Sequence, residues 1–245
     1  MVRLLLSTML VVMFSSGILN AQERFPSDVF KTSSGDLFIT FIGHGSLIVT
    51  FNHKIFHIDP FGKPADYSTL PKADVILITH EHPDHLDSAA IEKIRTDKTR
   101  LVLTETCATK IAGGMVMKNG DVRTIDGVKI EAVPAYNIVH KRETGEPFHP
   151  RGAGNGYIMT FGDKRLYVAG DTENIPEMAG FKNIDIAFLP MSLPYTMTQE
   201  MTANAAAMIR PKILYPYHYG TSDTSKLTML LKDQKGIEVR IRKME

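Results

Sequence analysis

The chain has 245 residues, 43% hydrophobic and 22% charged, with 28 lysines and arginines against 27 aspartates and glutamates. That profile excludes a disordered or collagen-like chain and leaves enough length for a substantial buried core. The single cysteine, Cys107, excludes an internal disulfide and any thiolate cage made by this chain alone, so a metal would have to be held by imidazole and carboxylate.

Met1-Val2-Arg3 gives a short positive start, and the apolar stretch 4–19 is broken by Ser7, Ser15, Ser16 and Gly17 before the small residue Ala21. This reads as a secretory signal peptide over 1–21, too interrupted for the roughly 20 residues of a membrane span. The expectation is an exported protein, periplasmic or extracellular, whose mature part is one domain over 22–245 with no integral membrane span. Only Arg3 among the charged residues is removed with the segment. A neutral mature chain argues against nucleic acid as the main partner.

Beyond Pro26 the sequence alternates short strand-like runs with Gly, Asp and Pro turns. Runs 37–42, 46–51 and 54–58 are rich in β-branched and aromatic residues and read as a meander of hairpins. The continuous apolar run 75–78 suits a strand buried on both faces. Asp87 is placed to cap a short helix carrying Ala89, Ala90, Ile91 and Ile94. Strands are expected at 101–103, 128–133, 157–161, 165–169 and 186–189. Thr198 opens a helix with Met201, Ala205, Met208 and Ile209 on one side, ended by Pro211, and a last strand covers 213–215. Cys107 is expected to start a packed helix. The irregular stretch 135–155 exceeds ordinary connection lengths, and loops of that kind are commonly functional. Two β-rich halves, each followed by helix, suit an α/β sandwich of two packed sheets with helices outside.

Three of the nine histidines fall in Thr79-His80-Glu81-His82-Pro83-Asp84-His85, at the end of the buried run. A loop leaving a strand end can aim alternate side chains at one point, so His80 and His82 can share one cation while Asp84 and His85 turn toward a second. With its Asp84 and His85, this segment resembles the His-x-His-x-Asp-His signature of the metallo-β-lactamase superfamily. Two further segments are similar to that family: Tyr167-Val168-Ala169-Gly170-Asp171-Thr172 and Tyr215-Pro216-Tyr217-His218-Tyr219-Gly220. Phe41-Ile42-Gly43-His44-Gly45-Ser46 resembles the Gly-His segment of the branch with ascorbate-phosphate lactonase-like and phospholipase-D-like members.

The resemblance implies an αββα sandwich with the metal site along one edge, Asp171 between two metals and His218 on the second. It also implies a third histidine for the first metal, near Val133-Pro134-Ala135-Tyr136-Asn137, where this chain has Asn137. An amide oxygen is a weaker zinc ligand than an imidazole, so His149 or, less favoured, His140 is expected to complete that site. His44 is a candidate metal or substrate contact, or only a turn residue. His53 and His57 are expected to pack, and Asp59 to orient the opening loop.

The expected activity is a secreted metal-dependent hydrolase of a small molecule, with two divalent ions sharing an activated water as nucleophile. Zinc is the default metal; manganese or iron suits the same ligands. Asp84 and His85 are the candidate catalytic side chains, and Arg151 and Tyr195 candidate substrate contacts. The alternatives are a metal-binding scaffold without catalysis, suggested by Asn137, and a true β-lactamase.

Overall fold

The structure is a computed structural model and describes residues 25–244; the expected signal segment lies outside the described residues. One seven-stranded sheet runs in chain order through β1 (Ser27–Thr32), β2 (Gly35–Gly43), β3 (Ser46–Phe51), β4 (Lys54–Ile58), β5 (Val75–Leu77), β6 (Arg100–Leu103) and β7 (Met115–Val116). A second seven-stranded sheet holds β8 (Val122–Ile125), β9 (Val128–Ala135), β10 (Gly154–Phe161), β11 (Lys164–Val168), β12 (Ile186–Pro190), β13 (Ile213–Tyr217) and β14 (Glu238–Val239). Each sheet begins as an antiparallel meander, β1 to β4 and β8 to β11, and continues with parallel strands. The helices are α1 (Ser88–Ile94), α2 (Glu105–Ala108), α3 (Gln199–Ile209) and α4 (Thr224–Leu231). All four sit in crossovers between parallel strands, since a parallel neighbour cannot be reached by a tight hairpin.

Strand periodicity explains the layering. Val75 and Leu77 join the core between the sheets, while Ile76 turns outward to pack with Ala90, Ile91 and Ile94 of α1. Leu47 and Val49 face inward and Ile48 outward in the same way. Burial on both faces is why these strands read as unbroken apolar runs rather than alternating ones. Asp87 caps α1 by accepting from the amides of Ala89 and Ala90, and Thr198 caps α3 through Met201 N.

The architecture is the expected α/β sandwich, with differences at the edges. The strands β1, β7, β8 and β14 and helix α4 were not anticipated, and three of these strands have four residues or fewer. Strand β10 begins at Gly154, earlier than its apolar run suggests, because Gly154, Asn155 and Gly156 pair with Ala135, Pro134 and Val133. The buried face of α3 is Thr202, Ala205, Ala206 and Ile209, whereas Met201 and Met208 are only partly buried. Cys107 is buried in α2 behind its Thr104 cap, and His57 is buried in β4.

Candidate metal centre

The opening loop leaves β5 at the end of a buried strand, and Asp59 shapes it. Its carboxylate accepts from Thr79 N (2.8 Å), Thr79 Oγ1 (2.6 Å) and His85 Nδ1 (2.8 Å). Beyond Pro83 the loop closes in a turn, with the amides of His85 and Leu86 donating to His82 O. At the end of β11, Gly170 takes φ 65°, and a Cβ there would stand 2.9 Å from Thr79 Cβ and 3.0 Å from Asn155 O. Only glycine lets Asp171 approach the opening loop this closely. His218 follows β13 with φ 47°, its amide donating to the carbonyl of His44, itself at φ 54° in the β2–β3 turn.

These elements bring together two groups of metal-ligand type, His80, His82, His149 and Asp171 in one, and His44, Asp84, His85 and His218 in the other. In the first, His82 Nδ1 is 3.1 Å from His80 Nε2 and 3.2 Å from His149 Nε2, and His149 Nε2 is 3.3 Å from Asp171 Oδ2. Ligands about 2.0–2.1 Å from a tetrahedral zinc lie about 3.3 Å from one another. In the second, Asp84 Oδ2 is 2.9 Å from His44 Nε2 and 3.2 Å from His218 Nε2. Asp171 reaches both groups, with Oδ1 at 3.6 Å from His85 Nε2 and Oδ2 at 3.8 Å from His218 Nε2.

Outer hydrogen bonds decide which ring nitrogens are bare. Thr79 Oγ1 donates to Asp59, so it accepts from His80 Nδ1 at 3.1 Å, which leaves His80 Nε2 without a proton. Asn137 Nδ2 donates to Glu173 and to Tyr195 O, which turns its Oδ1 toward His149 Nδ1 at 2.6 Å and bares His149 Nε2. Such outer partners fix the tautomer and direction of a metal-binding imidazole. Burial holds His80 well below the ordinary imidazole range and lowers His82 too, the neighbouring imidazoles adding to the effect. Neutral rings are the form that binds metal.

His85 Nε2 and Asp171 Oδ1 are buried with no hydrogen-bond partner, facing one another. Burial alone would raise the Asp171 carboxyl, yet His218, His85 and His149 hold it well below the usual carboxylate range. Burial likewise opposes a charge on His85, but Asp171, Asp59 and Asp84 push it up to about 9. Without a cation, a proton on His85 supplies the positive charge the carboxylates draw in; the donor set fits a metal.

The expected site residues are distributed as follows. His80, His82, Asp84, His85, Asp171 and His218 converge, and His149 joins them. Asn137 does not turn its oxygen to the cluster but holds His149 through both Nδ1 and the backbone amide at 3.0 Å. His140 donates to Glu173 instead. Tyr195 lines the cavity of about 400 Å3 over the two groups. Arg151 is not among the residues lining it: its guanidinium pairs with Glu177 at 2.7 Å and lies over the Tyr136 ring. Arg142 lines the cavity in its stead.

Glu173 was missed by sequence reasoning. It is buried and accepts from the amides of Ile138, Val139 and His140, each at 2.7 Å, as well as from His140 Nδ1 and Asn137 Nδ2. Its position two residues after Asp171 was the available clue.

A two-sheet αββα sandwich with histidines and aspartates gathered at one edge defines a metal-dependent hydrolase of the metallo-β-lactamase type. The family profile described as "Beta-lactamase superfamily domain" matches residues 38–218. The chain belongs to that superfamily and, within it, to the UPF0173 metal-dependent hydrolases. One of these, from Pelotomaculum thermopropionicum, is 33% identical over 75% of this chain and 84% of the relative. Another, from Pyrococcus abyssi, is 31% identical over 82% of this chain and 95% of its own length. A crystal structure of a candidate metal-dependent hydrolase from Parabacteroides distasonis is 52% identical, with a TM-score of 0.86 over 90% of this chain and all of that one.

Proposed function

We propose that the protein is an exported hydrolase that cleaves an ester, lactone, amide or phosphodiester bond of a small molecule, with two divalent ions, zinc by default, held by the two donor groups. The observation that carries this reading is Asp171, whose Oδ2 lies 3.3 Å from His149 of the first group and 3.8 Å from His218 of the second, while its buried Oδ1 faces His85 with no hydrogen-bond partner. His80, His82 and His149 would hold the first ion, Asp84, His85 and His218 the second, and Asp171 both. Bound there, the ions would supply an activated water and stabilise the charge that develops on the attacked carbonyl or phosphorus centre.

The remaining chemistry falls to the chain. Burial works against the Asp84 charge, but hydrogen bonds from His218 and His44 keep its carboxylate ionised. Asp84 lines the cavity and can therefore accept a hydrogen bond from the attacking water and orient it. His44 donates to Asp84 Oδ2 and so positions it. Asn137 supports His149 rather than replacing a histidine, which removes the observation that had favoured a non-catalytic scaffold. Nothing in the cavity favours a lactam over other substrates.

Replacing His80 and His82 together by Ala should abolish both bound metal, read by elemental analysis, and hydrolysis of generic lactone, lactam and phosphodiester probes. A double variant that turns over without metal would end the proposal. Export rests on residues 1–21, and amino-terminal sequencing of protein from separated cell fractions tests it. Among the described residues, no helix is long and apolar enough to cross a membrane.

A further inference from the structure

The cavity wall facing the two donor groups carries one strong cation, and its hydrogen-bond chemistry is incomplete. Residues 141–147 form a tight hairpin, with Arg142 N donating to Glu146 O at 2.7 Å, Gly145 N returning to Arg142 O at 2.9 Å, and a bridge between Lys141 and Pro147. The hairpin carries Arg142 to the cavity, and Glu173 pins its base. No ion pair joins Arg142 to a carboxylate among the described residues. Its guanidinium has only a long contact of 3.4 Å to Phe148 O, a position 5.0 Å from the centre of the Phe148 ring, and a 3.5 Å approach to His82 Nε2.

That last approach is informative. His82 meets His80 and His149 through Nδ1, so with Nδ1 given to a metal its Nε2 carries the ring proton. Arginine has no acceptor and does not lose its charge. Two donors then stand 3.5 Å apart at the wall of the open cavity, close enough for one acceptor beside them to satisfy both. An anionic oxygen suits this best, because charge-assisted bonds to guanidinium are the strong ones. Beside it, Phe148 and Tyr195 meet edge to face with ring centres 5.1 Å apart, and Tyr195 is 48% exposed, leaving apolar surface for a ligand to cover. Leu193, Ile138 and Val139 are also exposed large apolar residues, from the two loops that bear these rings.

We propose that Arg142 and the outer N–H of His82 form an oxyanion-binding subsite walled by Phe148 and Tyr195, so that the ligand is a small molecule bearing a carboxylate or phosphate group next to an apolar portion. This rests on the metal reading above, through the His82 tautomer, but not on any hydrolysis. Calorimetry of the metal-loaded protein with phenylphosphonate, methylphosphonate, phenylacetate and benzyl alcohol tests it.

Arg142→Gln should weaken phenylphosphonate or phenylacetate by about tenfold or more with metal content unchanged, and Arg142→Lys should recover part of the loss. Sensitivity of the phosphonate alone identifies a phosphate group, of phenylacetate alone a carboxylate, and of both the shared oxyanion. Tyr195→Ala should weaken phenylphosphonate more than methylphosphonate. If Arg142→Gln leaves both aromatic anions within twofold of the wild type at full metal content, or benzyl alcohol binds as tightly as they do, the subsite does not exist. Arginine-dependent anion binding by a protein that hydrolyses none of the generic probes would sink the hydrolase reading while leaving this one standing.

Discussion

The Oδ1 atom of Asn137 accepts from both the ring Nδ1 and the backbone amide of His149, at 2.6 and 3.0 Å, so one short side chain fixes the tautomer and the direction of the imidazole. Removing it frees the ring to rotate and to exchange tautomers. Asn137→Ala is expected to lower metal affinity by about 10- to 100-fold, as loss of outer-shell partners generally does. Competition with a chromophoric chelator measures this directly, and an unchanged affinity would show that His149 is held by packing alone.

The carboxylate of Glu173 satisfies three consecutive amides at the start of the 137–149 loop, and burial makes those bonds costly to lose. A glutamine offers one acceptor oxygen in place of two and brings an unwanted donor. Glu173→Gln should therefore reduce unfolding free energy by about 1–3 kcal/mol. Urea denaturation reads that loss, and hydrogen exchange should quicken first at residues 138–140.

Gly45 lies against the second donor group. A Cβ there would sit 3.1 Å from His85 Cε1 and 3.5 Å from His218 Cδ2, so Gly45→Ala must push one of these rings aside. The expected outcome is a selective weakening of the second ion with the first retained. On the proposed two-ion reading, elemental analysis after dialysis should then find close to one equivalent fewer in the variant than in the wild type; equal stoichiometry would mean that the rings shift together without cost.

His57 is buried away from the metal cluster, with Nε2 against Pro71 O at 3.0 Å, and burial pushes it down to about 4. In the unfolded chain an ordinary imidazole titrates near 6.5. Between these values the unfolded state binds more protons, so stability is intact above about 6.5 and is lost as pH falls toward about 4, by about 3 kcal/mol in all. His57→Gln removes this contribution to acid sensitivity. The wild type minus variant difference in urea midpoint should change between pH 7 and pH 4.5, and a constant difference would contradict the assignment.

Much of the fold and of the cluster was legible because its signals are local. His80, His82, Asp84 and His85 lie within one loop, while Asp171 and His218 each follow a recognisable strand. The division of labour between Asn137 and His149 was not legible, since it depends on how a twelve-residue excursion folds back. A sequence shows that an amide replaces a histidine but not which way its oxygen points. Arg151 and Arg142 are equally arginine on the same irregular stretch. Only the partner Glu177 and the hairpin over the cavity distinguish them. The short strands β7 and β14 have two residues each, too few for any periodicity to register.

The parallel construction of the two sheets has a consequence for cohesion. His80, His82, Asp84, His85 and His44 come from the amino-terminal half of the described chain, and His149, Asp171 and His218 from the other. Neither half alone offers a complete set of donors, so each cation would work as a removable rivet through the seam. Loading would couple to global unfolding by mass action, and depletion of the metal would leave a looser protein as well as an idle one.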